Sequence, residues 1–103
     1  MAIRKTVEDV FVVRGVPEDW FPRCENALQA QGFTSLQPAP AFGQIRANYK
    51  KATLWGTLDL TLIPENQAST RILARATANI DNVFAAFKSP GQKIIDRFKQ
   101  GLR

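Results

Sequence analysis

The stretch TLWGTLDLTLIPENQASTRILARATANI, residues 53–80, decides the fold. In residues 53–63, Leu54, Gly56, Leu58, Leu60 and Leu62 fall on one parity, and Trp55, Thr57, Asp59 and Thr61 on the other. Successive strand side chains point to opposite faces, so an alternation this long predicts a strand with one buried face. Pro64-Glu65-Asn66-Gln67 reads as a turn. Residues 69–80 repeat the alternation, with Ile72, Ala74, Ala76, Ala78 and Ile80 facing in and Arg71, Leu73, Arg75, Thr77 and Asn79 facing out. The two strands should pair as an antiparallel hairpin.

Toward the N-terminus, residues 6–14 (TVEDVFVVR) are rich in β-branched and aromatic residues and predict a first strand, with Val10 and Val12 on one face and Phe11 and Val13 on the other. Gly15-Val16-Pro17 ends it. A helix follows, with Asp19 as its N-cap and Pro22 at the third helical position, where a missing N–H costs nothing. Phe21, Cys24 and Leu28, with Trp20 beside them, form its apolar stripe. Gly32 suits a left-handed C-terminal position, with Phe33 closing the cap. Residues 33–37 predict a short second strand, Pro38 and Pro40 a turn or edge crossing, residues 43–49 a third strand, and Lys50-Lys51 the next turn.

After the hairpin, Val83, Phe84 and Phe87 read as a short helical turn. Ser89-Pro90-Gly91-Gln92 has the pattern of a capping box with proline at the first helical position, so a second helix should span about 90–101. Ile94, Ile95, Phe98 and Leu102 are its apolar stripe; Lys93, Arg97, Lys99 and Arg103 occupy the remaining surface. The expected fold is therefore an α+β two-layer sandwich in the order βαββββα. Two helices cover one face of a mostly antiparallel five-stranded sheet, in one domain spanning 1–103.

Composition agrees with this reading. The chain has 103 residues, 45% hydrophobic and 22% charged, an ordinary globular balance. A chain of this length buries roughly 60–70% of its unfolded surface, enough for one core without disulfide or metal staples. Its single cysteine, Cys24, allows no intrachain disulfide, which fits a reducing compartment. No apolar segment follows the basic residues near the start, and no apolar run approaches the ~20 residues that span a bilayer, so a cytoplasmic location is expected.

The net charge of +5 is unevenly placed. Residues 1–81 carry nine basic and eight acidic side chains, whereas residues 82–103 carry five basic against Asp96 alone. A basic end can attract nucleic acid, acidic lipid or an acidic protein. It is also what an ordinary solvated helix face looks like, and Lys99 and Arg103 have a structural reason to sit near the negative end of the helix dipole.

The sequence excludes several chemistries. It has no histidine, which removes Ser–His and Cys–His nucleophiles, the commonest general base and imidazole metal ligands. One cysteine and scattered carboxylates make no zinc spacing, and the glycines form no phosphate loop. Glu18 and Asp19 suit the positive end of the first helix. Cys24 lies on an apolar stripe and reads as a buried structural thiol. No enzyme activity, cofactor or metal is expected.

Two sets of residues remain as candidate sites. Small residues on the inward parity either let a helix approach the sheet or leave a cavity beneath it. In the second case Gly56, Leu58, Leu60, Ala74 and Ala76, with Phe84, Phe87 and Phe98, would hold a small apolar ligand between the sheet and the C-terminal helix. The outward parity carries Arg46, Trp55, Arg71 and Arg75, with Asp59 placed to pair across strands. Together with Lys93 and Arg97 of the second helix, these residues form a candidate surface for a protein partner, a second copy or single-stranded nucleic acid. A single aromatic and no ribonucleoprotein consensus weigh against the last, and a plain solvated face requires no partner at all.

The element order, with two helices gripping one side of an antiparallel sheet, resembles the TATA-box-binding-protein-like and helix-grip sandwiches. The end segment NVFAAFKSPGQKIIDRFKQGL is similar to the ends of small bacterial domains of unknown function with this architecture. The resemblance implies a fold and no activity, because such sandwiches bind DNA, lipids, small ligands or proteins. The expected function is thus a non-catalytic binding or interaction module, monomeric or homodimeric, with nucleic-acid binding as the alternative.

Overall fold

The computed structural model describes residues 3–51, 54–80 and 90–102. Five strands, β1 (Ile3–Arg14), β2 (Thr34–Ala39), β3 (Gln44–Lys51), β4 (Leu54–Asn66) and β5 (Ser69–Ile80), form one antiparallel sheet in the order β1-β5-β4-β3-β2. Helix α1 (Pro17–Ala30) links β1 to the far edge, and α2 (Pro90–Gly101) follows β5. This is the βαββββα layout that the alternation predicted.

The register fixes which side chains share a face. Leu58 pairs with Ala76, Leu60 with Ala74 and Leu62 with Ile72 across β4 and β5, and Ile45 and Ala47 of β3 oppose Leu60 and Leu58. These inward residues join Cys24, Ala27 and Leu28 of α1 and Ile94, Ile95 and Phe98 of α2 in one core from which water is excluded. Both helices therefore lie on one side of the sheet, and no helix among the described residues covers the other. Burying Leu, Ile and Phe side chains is worth about 1.5–3 kcal/mol each, so this layer supplies the main driving force for the architecture.

The glycines of α2 allow close approach. A Cβ on Gly91 would lie 3.0 Å from Val7 Cγ2 and 3.4 Å from the Ala76 carbonyl oxygen, and one on Gly101 would lie 2.8 Å from the Ala27 carbonyl oxygen. Glycine at both ends of α2 thus seats the helix against the sheet at one end and against α1 at the other.

Besides β1, which begins at Ile3 rather than at residue 6, local boundaries depart from the sequence reading in three places. Helix α1 begins at Pro17 rather than after Asp19, with no side-chain cap at Val16; the Val16 carbonyl accepts from the Asp19 and Trp20 N–H groups. Proline at the first position presets the helical φ, and Trp20 Nε1 donates to the Arg14 carbonyl (2.6 Å), tying the first turn to the end of β1. Pro22 consequently sits well inside the helix. The end of α1 matches expectation: Gly32 is left-handed (φ 85°), its N–H reaches Gln29 O, and the Phe33 N–H reaches Leu28 O.

Second, β2 continues through Pro38, which pairs with Ile45. Proline is tolerated because β2 is an edge strand and needs no donor on its open side. Third, β3 includes Lys50 and Lys51, and β4 runs past Pro64 through a bulge to Asn66. The turn narrows to Gln67-Ala68, where Asn66 Oδ1 accepts the Ala68 N–H (2.8 Å). The expected helical turn at Val83–Phe87 and the Ser89 cap lie outside the described residues. Gln92 of that capping pattern donates its amide to Asp96 (2.9 Å), one turn along α2.

Candidate functional site

The outer face of the sheet, opposite the helices, is built in rows, because residues opposite one another in an antiparallel ladder point the same way. One row crosses all five strands: Glu8 of β1, Arg75 of β5, Asp59 of β4, Arg46 of β3 and Gln37 of β2. Its first four members alternate in charge. Arg46 Nε donates to Asp59 Oδ1 (2.6 Å), and Arg75 Nε stands 3.6 Å from Glu8 Oε1. The Asp59 hydrogen bond and charge push the Arg46 guanidinium upward from its ordinary pKa. The neighbouring row, Val10, Leu73, Thr61, Gln44 and Ala39, is uncharged. These two rows line a groove of about 600 Å³ that runs across the sheet. Along the same face Val10 and Val12 are each 54% exposed, and Ile63 is exposed as well.

The candidate cation surface is divided by this geometry. Arg46 and Arg75 belong to the alternating row, and Arg71 forms an ion pair with Glu65 (2.7 Å). Each of the three arginines therefore faces a carboxylate, which lowers the positive potential available to a polyanion. Trp55 is half-buried between Lys50 and Asn79 in the sheet register. Lys93 and Arg97 lie on α2, on the opposite side of the sheet, so they do not extend the arginine surface. Arg97 instead borders a depression of about 340 Å³ with Gly32 and Tyr49.

The candidate ligand residues are placed as follows. Leu58, Ala76 and Phe98 are fully buried in the core, as are Leu60 and Ala74, and Gly56 is buried with them. A Cβ on Gly56 would collide with the Thr77 carbonyl. Leu60 and Ala74 also border the outer groove through the sheet, while Gly56, Leu58, Ala76 and Phe98 border none of the described cavities. Phe84 and Phe87 lie outside the described residues.

Two features escaped the sequence reading. Asp9 shares the inward parity of Val7, Phe11 and Val13, and under the helix layer it meets Lys99 of α2. The Lys99 ammonium also stands 4.7 Å from the centre of the Phe11 ring. An acidic residue at an apolar parity was the available signal, and its partner ninety positions away had none. Phe42, 75% exposed, lies in the 3-10 turn Pro40–Phe42 beside a second depression of about 690 Å³. Cys24 is buried in the core, and burial, aided by Glu25, pushes its thiol up to about 12. A thiol so placed stays protonated and unreactive at neutral pH.

No protein-family model matches the chain, and no curated protein matches it in sequence. Solved structures do match its fold. The protein TTHA0849 from Thermus thermophilus aligns with a TM-score of 0.67 at 12% identity, over 95% of this chain and 94% of that one. A point mutant of norcoclaurine synthase from Thalictrum flavum, in complex with a transition-state analogue, aligns with a TM-score of 0.67 at 8% identity, over 99% of this chain and 93% of that one. The adenylate sensor of AMP-activated protein kinase, in complex with the ribofuranotide ZMP, aligns with a TM-score of 0.65 at 14% identity, over 89% and 93%. The layout fits a helix-grip fold. Identities this low carry the architecture alone. No helix among the described residues is long and apolar enough to cross a membrane.

Proposed function

We infer that the protein is a non-catalytic interaction module whose working surface is the outer face of the sheet, opposite the two helices. The observation that carries this reading is the asymmetry of the sheet. One face is sealed by two helices, and the other presents a groove of about 600 Å³ lined by an ordered charge row and an uncharged one. Exposed valines at positions 10 and 12 add apolar area that solvent alone does not favour. The sequence offers no histidine, and its one cysteine is buried with a raised pKa, which supports a binding role over a catalytic one. A protein partner suits the outer face better than a small apolar ligand suits the interior, because α2 rests directly on Val7 and Ala76 where such a ligand would sit. Two of the structural neighbours hold small molecules, but their low identity gives this chain no site.

Site-specific photo-cross-linking in cells tests the reading. A photoreactive residue at Val10 should give discrete protein adducts, and one at Asn26, on the exposed side of α1, should not. Adducts from both positions, or from neither, would overturn it; adducts to nucleic acid at Val10 would replace it with the polyanion reading.

A further inference from the structure

We propose that the occupant of the outer face is a second copy of this chain, stacked sheet on sheet about a two-fold axis that runs parallel to the strands between β4 and β5. The inference rests on reading that face as the working surface, and names its partner.

The argument begins with the charge order Glu8, Arg75, Asp59, Arg46 across β1, β5, β4 and β3. A two-fold axis between the middle two strands reverses the row on the opposing copy. Glu8 then faces the partner's Arg46, and Arg75 faces the partner's Asp59. A row that reads minus, plus, minus, plus becomes plus, minus, plus, minus when reversed, so every charge meets its opposite. An axis along the row instead would set each charge against itself. The sequence of signs is thus self-complementary for one orientation only, which is what an isologous interface requires. Aligned sheets pack with a rotation of about 30°, and this displaces opposing residues least near the axis, where Arg75 and Asp59 lie.

The surface also has the needed extent. About this axis β2 lies beyond the partner's sheet. The overlapping parts of β1, β5, β4 and β3, with strands about 4.8 Å apart and about 3.3 Å per residue, give a face of roughly 650 Å², the lower end of what each partner contributes to a standard stable interface. The flanking row brings Leu73 opposite the partner's Thr61, and Val10 opposite the partner's Gln44, so the pairing is not purely ionic. Lys93, Arg97 and Lys99 lie on α2, on the far side of the sheet, whereas the same axis sets the register positions of Arg4 and the partner's Lys50 opposite each other, so the attraction is carried by the central charge row against a like-charged pair at the end of the face.

Complementary charge reversal tests the proposal. The wild-type protein should sediment as a dimer at about 100 μM and dissociate as salt is raised. Asp59→Arg alone sets position 59 against Arg75 with like charge, and Arg75→Asp alone sets position 75 against Asp59; each variant should sediment as a folded monomer. Mixed in equal amounts, the two regain a complementary row at all four positions, and the dimer should return. A monomeric wild type, single variants that remain dimeric, or folded single variants that do not pair on mixing would each overturn the proposal. Should a variant fail to fold by circular dichroism, a photoreactive residue at Leu73 of the otherwise wild-type chain decides. It should give an adduct of twice the chain mass, mapped to β4 of the second copy. An adduct mapped to another element of the second copy, or the absence of one, overturns the proposal. The cross-link from Val10 separates the two readings: an adduct with a different protein there leaves the interaction module standing and removes the self-association.

Discussion

The inner and outer faces of β5 differ by one residue step. Ile72, Ala74, Ala76 and Ala78 point under the helices and lose all contact with water, whereas Arg71 and Arg75 point outward and remain largely exposed. The inner face is governed by volume: alanines and the glycines of α2 fix how near the helix can come, and packed interiors tolerate little change in size. The outer face is governed by charge order, because side chains in water have room to move but are destabilised by a like-charged neighbour. Mutations on the two faces should therefore differ in magnitude and in what they alter.

The largest effect is expected from Phe98→Ala, which removes a fully buried ring from the α2 stripe. Urea unfolding should show a loss of about 3–5 kcal/mol. A smaller loss would mean that α2 is looser against the sheet than its buried stripe indicates. Next comes overpacking: Ala76→Leu forces four-carbon bulk against the seat of α2 and should cost about 1–3 kcal/mol in the same assay. Stabilisation by this change would reveal unfilled space beneath the helix and revive the interior ligand site.

Cys24 gives an inner-face effect that depends on pH. Its folded pKa of about 12 lies above the ordinary thiol value of 9.0, so the folded state holds the proton more tightly than the unfolded chain. The stability from keeping this thiol neutral is complete below pH 9 and is lost as pH rises from there toward about 12. Measured unfolding free energy should fall over that window less steeply in Cys24→Ala. Equal slopes in the two proteins would contradict the thiol's assignment. The smallest effect belongs to the outer face: Glu8→Gln should change monomer stability by about 0–1 kcal/mol, as exposed ion pairs do. The same change should weaken self-association, so sedimentation and unfolding together separate a contact role from a structural one.

Much of this fold is legible in the chain because strand parity is a local property. The alternation over residues 53–80 places Leu58, Leu60, Ala74 and Ala76 inside and Arg71 and Arg75 outside, and β5 spans the residues that the pattern marks. Boundaries were less legible where tertiary contacts overrule local signals. Asp19 has the chemistry of a cap, yet α1 starts at Pro17, where Trp20 is held to the end of β1. Pro38 has the chemistry of a breaker, yet it pairs in β2 because an edge strand leaves one side without donors to satisfy. The candidate site was legible only in part. The arginines at 46, 71 and 75 were visible, but their neutralisation by Asp59, Glu65 and Glu8 depends on register and side-chain geometry.

The sequence by itself determined the element order, the parity of each long strand, the apolar stripes of both helices and the absence of histidine chemistry. Each of these follows from residue type and short-range spacing. Only the tertiary structure decided that Gly91 and Gly101 seat α2, that Asp9 meets Lys99, and that four charges from four strands fall into one alternating row. Those facts join residues as far as ninety positions apart, and strand register, which sets such pairings, is fixed by the packing of the whole sheet.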